Sequence, residues 1–408
     1  MRAGTIPVVA IVTPVLWLCG PSGVGKTTVA WEVYSQLVNA GVQVGFVDID
    51  QLGMCFPEPA SDPGRYRIQA QNLGAVVAGF RAAGARCVVV SGVVDPVRGA
   101  YVDDLPNIAA TMCRLRVDAD ELTRRLIARQ GDGGMVASAL AEAEALDAND
   151  FSNLCIDTTD LPLAEVVRLV WERITDWWTH SGPAASDEPA VPAERADGSI
   201  LWLCGSTGVG KSTVGFGLYM KHVLGSQIPG AFLDLDQIGF YHPEPTTARV
   251  NHQMRARILA DIWGTFRAGG AQCMTLVGPA EDEAAIRTYA EALPAATLTV
   301  CRLHAGRDEL IRRVLSRGHG GSWAQPGDPL KGQPAAALSA VAERAVTDSD
   351  ALERAALGDL CIDTDALTAG EVADAIVGQT GWPTRWLDPS DLPKPTSASG
   401  PVDHDYRP

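Results

Sequence analysis

No Cys-x-x-Cys pair occurs in the 408 residues, although there are nine cysteines, and no two histidines stand at a helical metal-binding spacing. Zinc sites and dithiol redox motifs are therefore poorly supported. Most of the cysteines lie inside apolar, strand-like runs and read as buried reduced thiols of a cytoplasmic protein. Positive charge is scarce: 33 Lys and Arg face 49 Asp and Glu, a formal net charge of −16, and no segment is both basic and aromatic-rich. That balance argues against nucleic acid and anionic membrane surfaces as partners, because both would be repelled. No run reaches the roughly 20 apolar residues of a membrane-spanning helix. The apolar N-terminal stretch is interrupted by Pro7 and Pro14 and runs on into a strand that the fold needs, so it reads as part of a domain rather than an export signal.

What the chain has in quantity is self-similarity. LWLCGPSGVGKTTV (16–29) returns as LWLCGSTGVGKSTV (201–214), and FVDIDQLGMCFPEP (46–59) as FLDLDQIGFYHPEP (232–245). FRAAGARCVVVSG (80–92) returns as FRAGGAQCMTLVG (266–278), and CRLRVDADELTRRLIAR (113–129) as CRLHAGRDELIRRVLSR (301–317). LCIDTTDL (154–161) returns as LCIDTDAL (360–367). Blocks that return in order and at similar separation mean a duplicated domain. The expected organisation is a first domain over 1–179, a Pro/Ala-rich linker over 180–199, a second domain over 200–387 and a disordered tail over 388–408. The second copy carries a Gly/Pro-rich loop insertion after Arg317. An intrachain pseudo-dimer follows, and a homo-oligomer stays open.

Each copy alternates short apolar runs with longer amphipathic ones. In the first, VLWLC, VGFVDI, RCVVVSG, ATMCRLRV and NLCIDT lack polar alternation, as parallel strands covered on both faces do. Helical stretches between them close at Gly41 and Gly84. The pattern predicts two tandem α/β domains, each a doubly wound parallel sheet of five strands.

Gly20–Thr27 and Gly205–Ser212 both satisfy G-x-x-x-x-G-K-[ST], the P-loop. Its glycines let successive backbone N–H groups turn onto phosphate, and the helix that follows points its positive end at the same anion. The expected nucleotide contacts are Gly20, Ser22, Gly23, Val24, Gly25, Lys26, Thr27 and Thr28, and in the second copy Gly205, Thr207, Gly208, Val209, Gly210, Lys211, Ser212 and Thr213. Lys26 and Lys211 would reach the β- and γ-phosphates, and the hydroxyls of Thr27 and Ser212 would face Mg²⁺. About twenty residues on, each copy has an Asp-x-Asp, Asp48 with Asp50 and Asp234 with Asp236. Alternation along a strand would turn both carboxylates of a pair toward one cleft. Asp48 and Asp234 are assigned to the metal, Asp50 and Asp236 to an acceptor hydroxyl.

A P-loop, an Asp-x-Asp on the second strand, an Arg-bearing helix and a late IDT strand end together resemble the small-molecule P-loop kinases, the group of shikimate, gluconate and adenylylsulfate kinases and chloramphenicol phosphotransferase. The resemblance implies a P-loop NTPase fold, ATP as donor, Mg²⁺, a mobile lid and an adenine pocket that would map onto Asp157 and Thr158, and onto Asp363 and Thr364. It makes Arg125, Arg129, Arg313 and Arg317, paired four apart on one helix face, the lid candidates. The alternative for each is a solvated Arg face supported by Glu121 or Glu309.

The acceptor side differs between copies. Arg65 and Arg67 open the helix after the first Asp-x-Asp, where the second copy has Asn251 and Gln253, with Arg255 and Arg257 one turn later. The third parallel strand ends in Ser91-Gly92 in one copy and Val277-Gly278 in the other. Asp50, Arg65, Arg67, Ser91, Gly92, Asp236, Arg255 and Arg257 are the substrate candidates; arginines there would suit an anionic acceptor. QLGMCFPEP lacks the arginine-rich acceptor motif expected of adenylylsulfate kinases, so the acceptor, a small hydroxylated molecule, is unnamed. The seven histidines read as scattered polar residues. The competing readings are a nucleotide-driven regulatory or assembly ATPase, and a polynucleotide end kinase that the acidic charge disfavours.

Overall fold

A computed structural model describes residues 12–101, 105, 107–130, 134–174, 177–178, 196–243, 247–320, 328 and 330–387. The expected tail, and the linker up to 195, lie outside the described residues. The first copy contributes strands β1 (Thr13–Cys19), β2 (Val44–Asp48), β3 (Cys55–Phe56), β4 (Cys87–Ser91), β5 (Ile108–Arg116) and β6 (Leu154–Asp157). Its helices are α1 (Lys26–Asn39), α2 (Tyr66–Ala82), α3 (Ala119–Gln130), α4 (Val136–Asp147) and α5 (Leu163–Arg173). The second copy contributes β7 (Gly198–Cys204), β8 (Gly230–Asp234), β9 (Tyr241–His242), β10 (Cys273–Val277), β11 (Ala296–His304) and β12 (Leu360–Asp363). Its helices are α6 (Lys211–Leu218), α7 (Ala248–Ala268), α8 (Glu283–Ala292), α9 (Arg307–Arg317), α10 (Ala335–Arg354) and α11 (Ala369–Thr380).

The five apolar runs of each copy form five parallel strands, in the order β6-β5-β1-β4-β2 and β12-β11-β7-β10-β8. Both are doubly wound sheets: the strand carrying the P-loop is central, and the chain reverses direction beside it. Leu16, Leu18, Val89, Cys113, Leu201, Leu203 and Cys301 are fully buried, which explains why these strands read as unbroken apolar runs. Gly41 and Gly84 lie at φ 74 and φ 105 just past α1 and α2, the left-handed stop that glycine tolerates.

Each sheet also has a sixth, antiparallel strand, and it comes from the other copy. Val44 and Gly45 of β2 pair with His242 and Tyr241 of β9, and Gly230 and Ala231 of β8 pair with Phe56 and Cys55 of β3. An unpaired sheet edge leaves backbone donors and acceptors open, and two residues of added strand close it. Phe46 N–H donates to Phe240 O at 2.8 Å, and Phe232 N–H to Met54 O at 2.9 Å. Phe240 packs edge-on against Trp31 and Phe46, Tyr241 stacks on Phe80, and the Tyr241 hydroxyl donates to Ala83 O at 2.8 Å.

The described residues fall into two compact units that follow this exchange rather than the repeat. Unit 1 holds those up to Ile49, those of 73–178 and residues 240–243; unit 2 holds Asp50–Asn72, 196–239 and those from 247 onward. Asp50, Arg65 and Arg67, first-copy residues by sequence, therefore belong to unit 2.

Candidate functional site

In each unit the central strand runs into the P-loop and the P-loop into a helix. Gly20 sits at φ 145, and a Cβ there would come within 2.4 Å of Leu115 O; at Gly205 the clash would be with Leu303 O at 2.6 Å. Gly25 and Gly210 cap α1 and α6 at φ 101 and φ 102. A side chain at these four positions would be strained, so the loop's inward-turned N–H groups depend on glycine. Val24 and Val209 are buried and pin the loop from below. Thr28 and Thr213 are exposed. Lys26 Nζ folds back to donate to Gly20 O at 2.8 Å and Pro21 O at 3.1 Å. Lys211 does the same to Gly205 O at 3.0 Å and Ser206 O at 3.1 Å. Burial lowers the Lys211 pKa, and the charges of Asp236 and Asp234 oppose it.

In unit 2 a hydroxyl, two carboxylates and an arginine meet beside the P-loop. Ser212 Oγ donates to Asp234 Oδ2 at 2.7 Å, and the Asp236 N–H donates to Asp234 Oδ1 at 2.9 Å. Burial holds the Asp234 carboxyl above the ordinary carboxylate range, the charge of Asp236 adds to this, and the Ser212 hydrogen bond works against it. Asp236 is half-exposed, and Arg255 Nη1 of α7 approaches its Oδ1 at 3.3 Å. The expectation that strand alternation aligns each Asp pair is corrected here. β8 ends at Asp234 and Asp236 lies in the turn beyond; β2 ends at Asp48 and Asp50 lies in a 3₁₀ turn over Ile49–Gly53. In unit 2 it is the turn's own hydrogen bond, not a pleat, that sets the second carboxylate beside the first.

In unit 1, Asp48 is buried at the end of β2, in register with Ser91 of β4. Ser91 Oγ is fully buried with no hydrogen-bond partner among the described residues, at the strand end where Gly92 turns away at φ 134. In unit 2, Arg65 Nη1 donates to Cys55 O at 3.1 Å, while Arg67 and Arg257 have exposed side chains.

The lid candidates fare unequally. Arg125 donates to Val24 O at 3.1 Å, Thr158 Oγ1 at 3.3 Å and Thr158 O at 3.0 Å, braced by Glu121 at 2.7 Å. Arg313 repeats this on Val209 O at 2.9 Å, Thr364 Oγ1 at 2.9 Å and Thr364 O at 3.0 Å, braced by Glu309 at 2.6 Å. These guanidiniums tie the P-loop to the turn after the last parallel strand. Arg317 is held by Asp328 at 3.0 Å, and the Arg129 side chain lies outside the described residues. Thr158 and Thr364 are buried, whereas Asp157 and Asp363 are exposed and cap their own turns. Arg313→Lys is expected to weaken nucleotide binding by roughly tenfold, because an ammonium cannot span the carbonyl, hydroxyl and carboxylate that one planar fork reaches. Calorimetric titration of an ATP analogue checks it; unchanged affinity would remove the tie from the site.

One cluster escaped the sequence reading. His252 of α7 is buried, with Nδ1 3.0 Å from the Tyr289 hydroxyl and Nε2 2.5 Å from Glu281 Oε2. The hydrogen bond from His252 lowers the Glu281 pKa, and burial raises that of Tyr289. His252 lies 29 residues from Glu281 and 37 from Tyr289, so no spacing signals the cluster.

Residues 12–100 match the family model of adenylylsulphate kinase. No curated protein sequence matches the chain. Among solved structures, a sugar kinase from Janibacter sp. HTCC2649 is 23% identical, covering 40% of this chain and 96% of its own, at a TM-score of 0.30. A gluconokinase from Sinorhizobium meliloti 1021 is 22% identical over 38% of this chain and 89% of its own, at 0.27. The APS kinase of Mycobacterium tuberculosis, in complex with AMPPNP and APS, is 18% identical over 44% and 96%, at 0.28. The matched family and these three structures are all kinases of small molecules. The segment matched runs from β1 past the P-loop and Asp-x-Asp to the loop after β4.

Proposed function

We propose that this chain is an ATP- and Mg²⁺-dependent phosphotransferase acting on a hydroxyl of a small molecule. The observation that carries the reading is the Ser212–Asp234 pair at 2.7 Å at the foot of a complete P-loop. A hydroxyl and a buried carboxylate are hard oxygen donors of the kind that holds a hydrated Mg²⁺ beside phosphates. Among the described residues no three His, Cys, Asp or Glu side chains converge on a metal-sized site, so phosphate oxygens and water would complete the shell. Mg²⁺ so held would supply neutralisation of charge on the transferring phosphoryl group.

The chain's own residues supply the rest. Lys211 would leave its two loop carbonyls for the phosphates. The half-exposed Asp236, oriented by Arg255, would accept the hydrogen bond and then the proton of the attacking hydroxyl. Thr27, Asp48 and Lys26 are assigned the matching roles in unit 1, and Asp50 is assigned to acceptor binding. Arg313 would keep the P-loop and the turn at Thr364 in one geometry around the nucleotide.

The test is ATP consumption by the purified chain with Mg²⁺ against a panel of hydroxylated metabolites, with an acceptor-free control. Stimulation by one acceptor, with its phosphorylated product seen by mass spectrometry, is the expected result. Equal hydrolysis with and without every acceptor would favour a nucleotide-driven regulator.

A further inference from the structure

The two P-loops are nearly identical in sequence, yet among the described residues only the first has an acid on it. In unit 1, the Ser22 backbone N–H, inside the phosphate cradle, donates to Glu142 Oε2 of α4 at 3.0 Å. We propose that Glu142 is an internal stand-in for phosphate that occupies the first P-loop and lowers its nucleotide affinity, so that unit 2 loads nucleotide first.

Three features of unit 1 support this. A P-loop N–H group is part of an anion-binding nest, and a carboxylate there satisfies it as a phosphate oxygen does. The helix carrying Glu142 is tethered where it needs to be. Asp147 at its end pairs with Arg114 at 3.0 Å and Arg116 at 3.2 Å, Arg114 also donates to Leu146 O, and Ala139 and Leu146 are buried beneath. The helix is thus positioned by contacts of its own, and the Glu142 contact follows from that position. Third, the loop residue is covered: Ser22 is half-buried, whereas its counterpart Thr207 is exposed.

Unit 2 keeps the buried helix positions, Ala345 and Leu352, but differs at the acid and at one of its tethers. Counting back equally from Asp157 and Asp363, Glu142 corresponds to Asp348, one methylene shorter and exposed. Arg116 corresponds to His304, which meets Ser349 at 3.4 Å instead of an acid. The P-loop of unit 2 has the Ser212–Asp234–Asp236 constellation ahead of it, and among the described residues no carboxylate accepts from its Thr207 N–H. In unit 1 an incoming nucleotide would have to displace a fixed negative charge before its own phosphates could bind. Glu142 is a positioning and gating residue; it takes no part in any transfer step.

The inference rests on the reading of the P-loops as nucleotide sites, which binding of Mg²⁺-AMPPNP to the unmodified chain tests separately. The decisive titration uses the full chain carrying Lys211→Ala, so that AMPPNP binding reports unit 1. Adding Glu142→Gln should tighten AMPPNP about tenfold, the order expected when one competing charge-assisted hydrogen bond is removed. Glu142→Asp, which keeps the charge but shortens the reach, should also tighten binding, and guards against a misfolded Gln variant. Equal or weaker affinity in both variants, or no binding in any of the three proteins, would overturn the proposal.

Discussion

Lys211→Met is expected to lower turnover by about 10²–10³-fold, the usual cost of deleting one preorganised donor to a charged transition state. The Lys26→Met variant should retain most of the turnover, because the first cradle already holds a carboxylate. The side chain of Lys211 folds over its own loop carbonyls at 3.0 and 3.1 Å, so the ammonium waits within reach of where phosphates would lie. Methionine keeps the unbranched stem and its packing but removes the charge. Steady-state rates of the two single variants and the double variant decide the matter. Equal partial losses from the two single variants would mean that both units turn over alike. Complete loss from Lys26→Met alone would assign the chemistry to unit 1 and contradict the unequal loading argued above.

Asp236→Asn and Asp234→Asn should separate two roles that lie two residues apart. The amide at 236 cannot take a proton, so transfer should fall by about 10²–10⁴-fold, the range for a lost general base, while nucleotide affinity stays within roughly twofold. The amide at 234 removes the buried anionic oxygen that Ser212 now faces, so Mg²⁺-dependent nucleotide binding itself should fail. The stability of Asp234→Asn adds a control with a definite sign. Burial and the neighbouring Asp236 raise the Asp234 pKa in the fold above its unfolded value, so folding favours the protonated form. This group therefore costs stability at neutral pH, and the cost fades as pH falls through the raised pKa toward the ordinary carboxylate range. The Asn variant should be at least as resistant to urea as the parent at pH 7, and that advantage should shrink in mild acid. A large loss of stability at pH 7 would make Asp234 a structural residue, and its failure to bind nucleotide would then say nothing about metal.

Part of this fold and site was legible in the residues themselves. The ten parallel strands were, because a strand covered on both faces must be apolar throughout, and runs such as VLWLC and CVVVS leave no other reading. The P-loops were, because Gly20, Gly25, Gly205 and Gly210 are backbone requirements that show directly as residue types. Strand alternation was expected to set Asp236 beside Asp234, but the strand ends two residues earlier and a turn hydrogen bond makes the contact. Arg125 and Arg313 were picked out as a helix face, but which carbonyls a long side chain finds depends on loops that arrive from elsewhere in the chain.

By itself, then, the sequence determined that there are two copies, that each is a doubly wound sheet, and where each phosphate cradle lies. These follow from local periodicity, from glycine chemistry and from repetition, all of which act over short stretches of chain. Only the tertiary structure decided that Tyr241–His242 pairs with β2 and Cys55–Phe56 with β8, because a two-residue strand has no periodicity to mark it or its partner. It alone decided that His252 meets Glu281 and Tyr289, and that Glu142 rather than Asp348 reaches a P-loop. Those contacts join residues far apart in the chain, where a single methylene or a helix tether determines whether two groups meet.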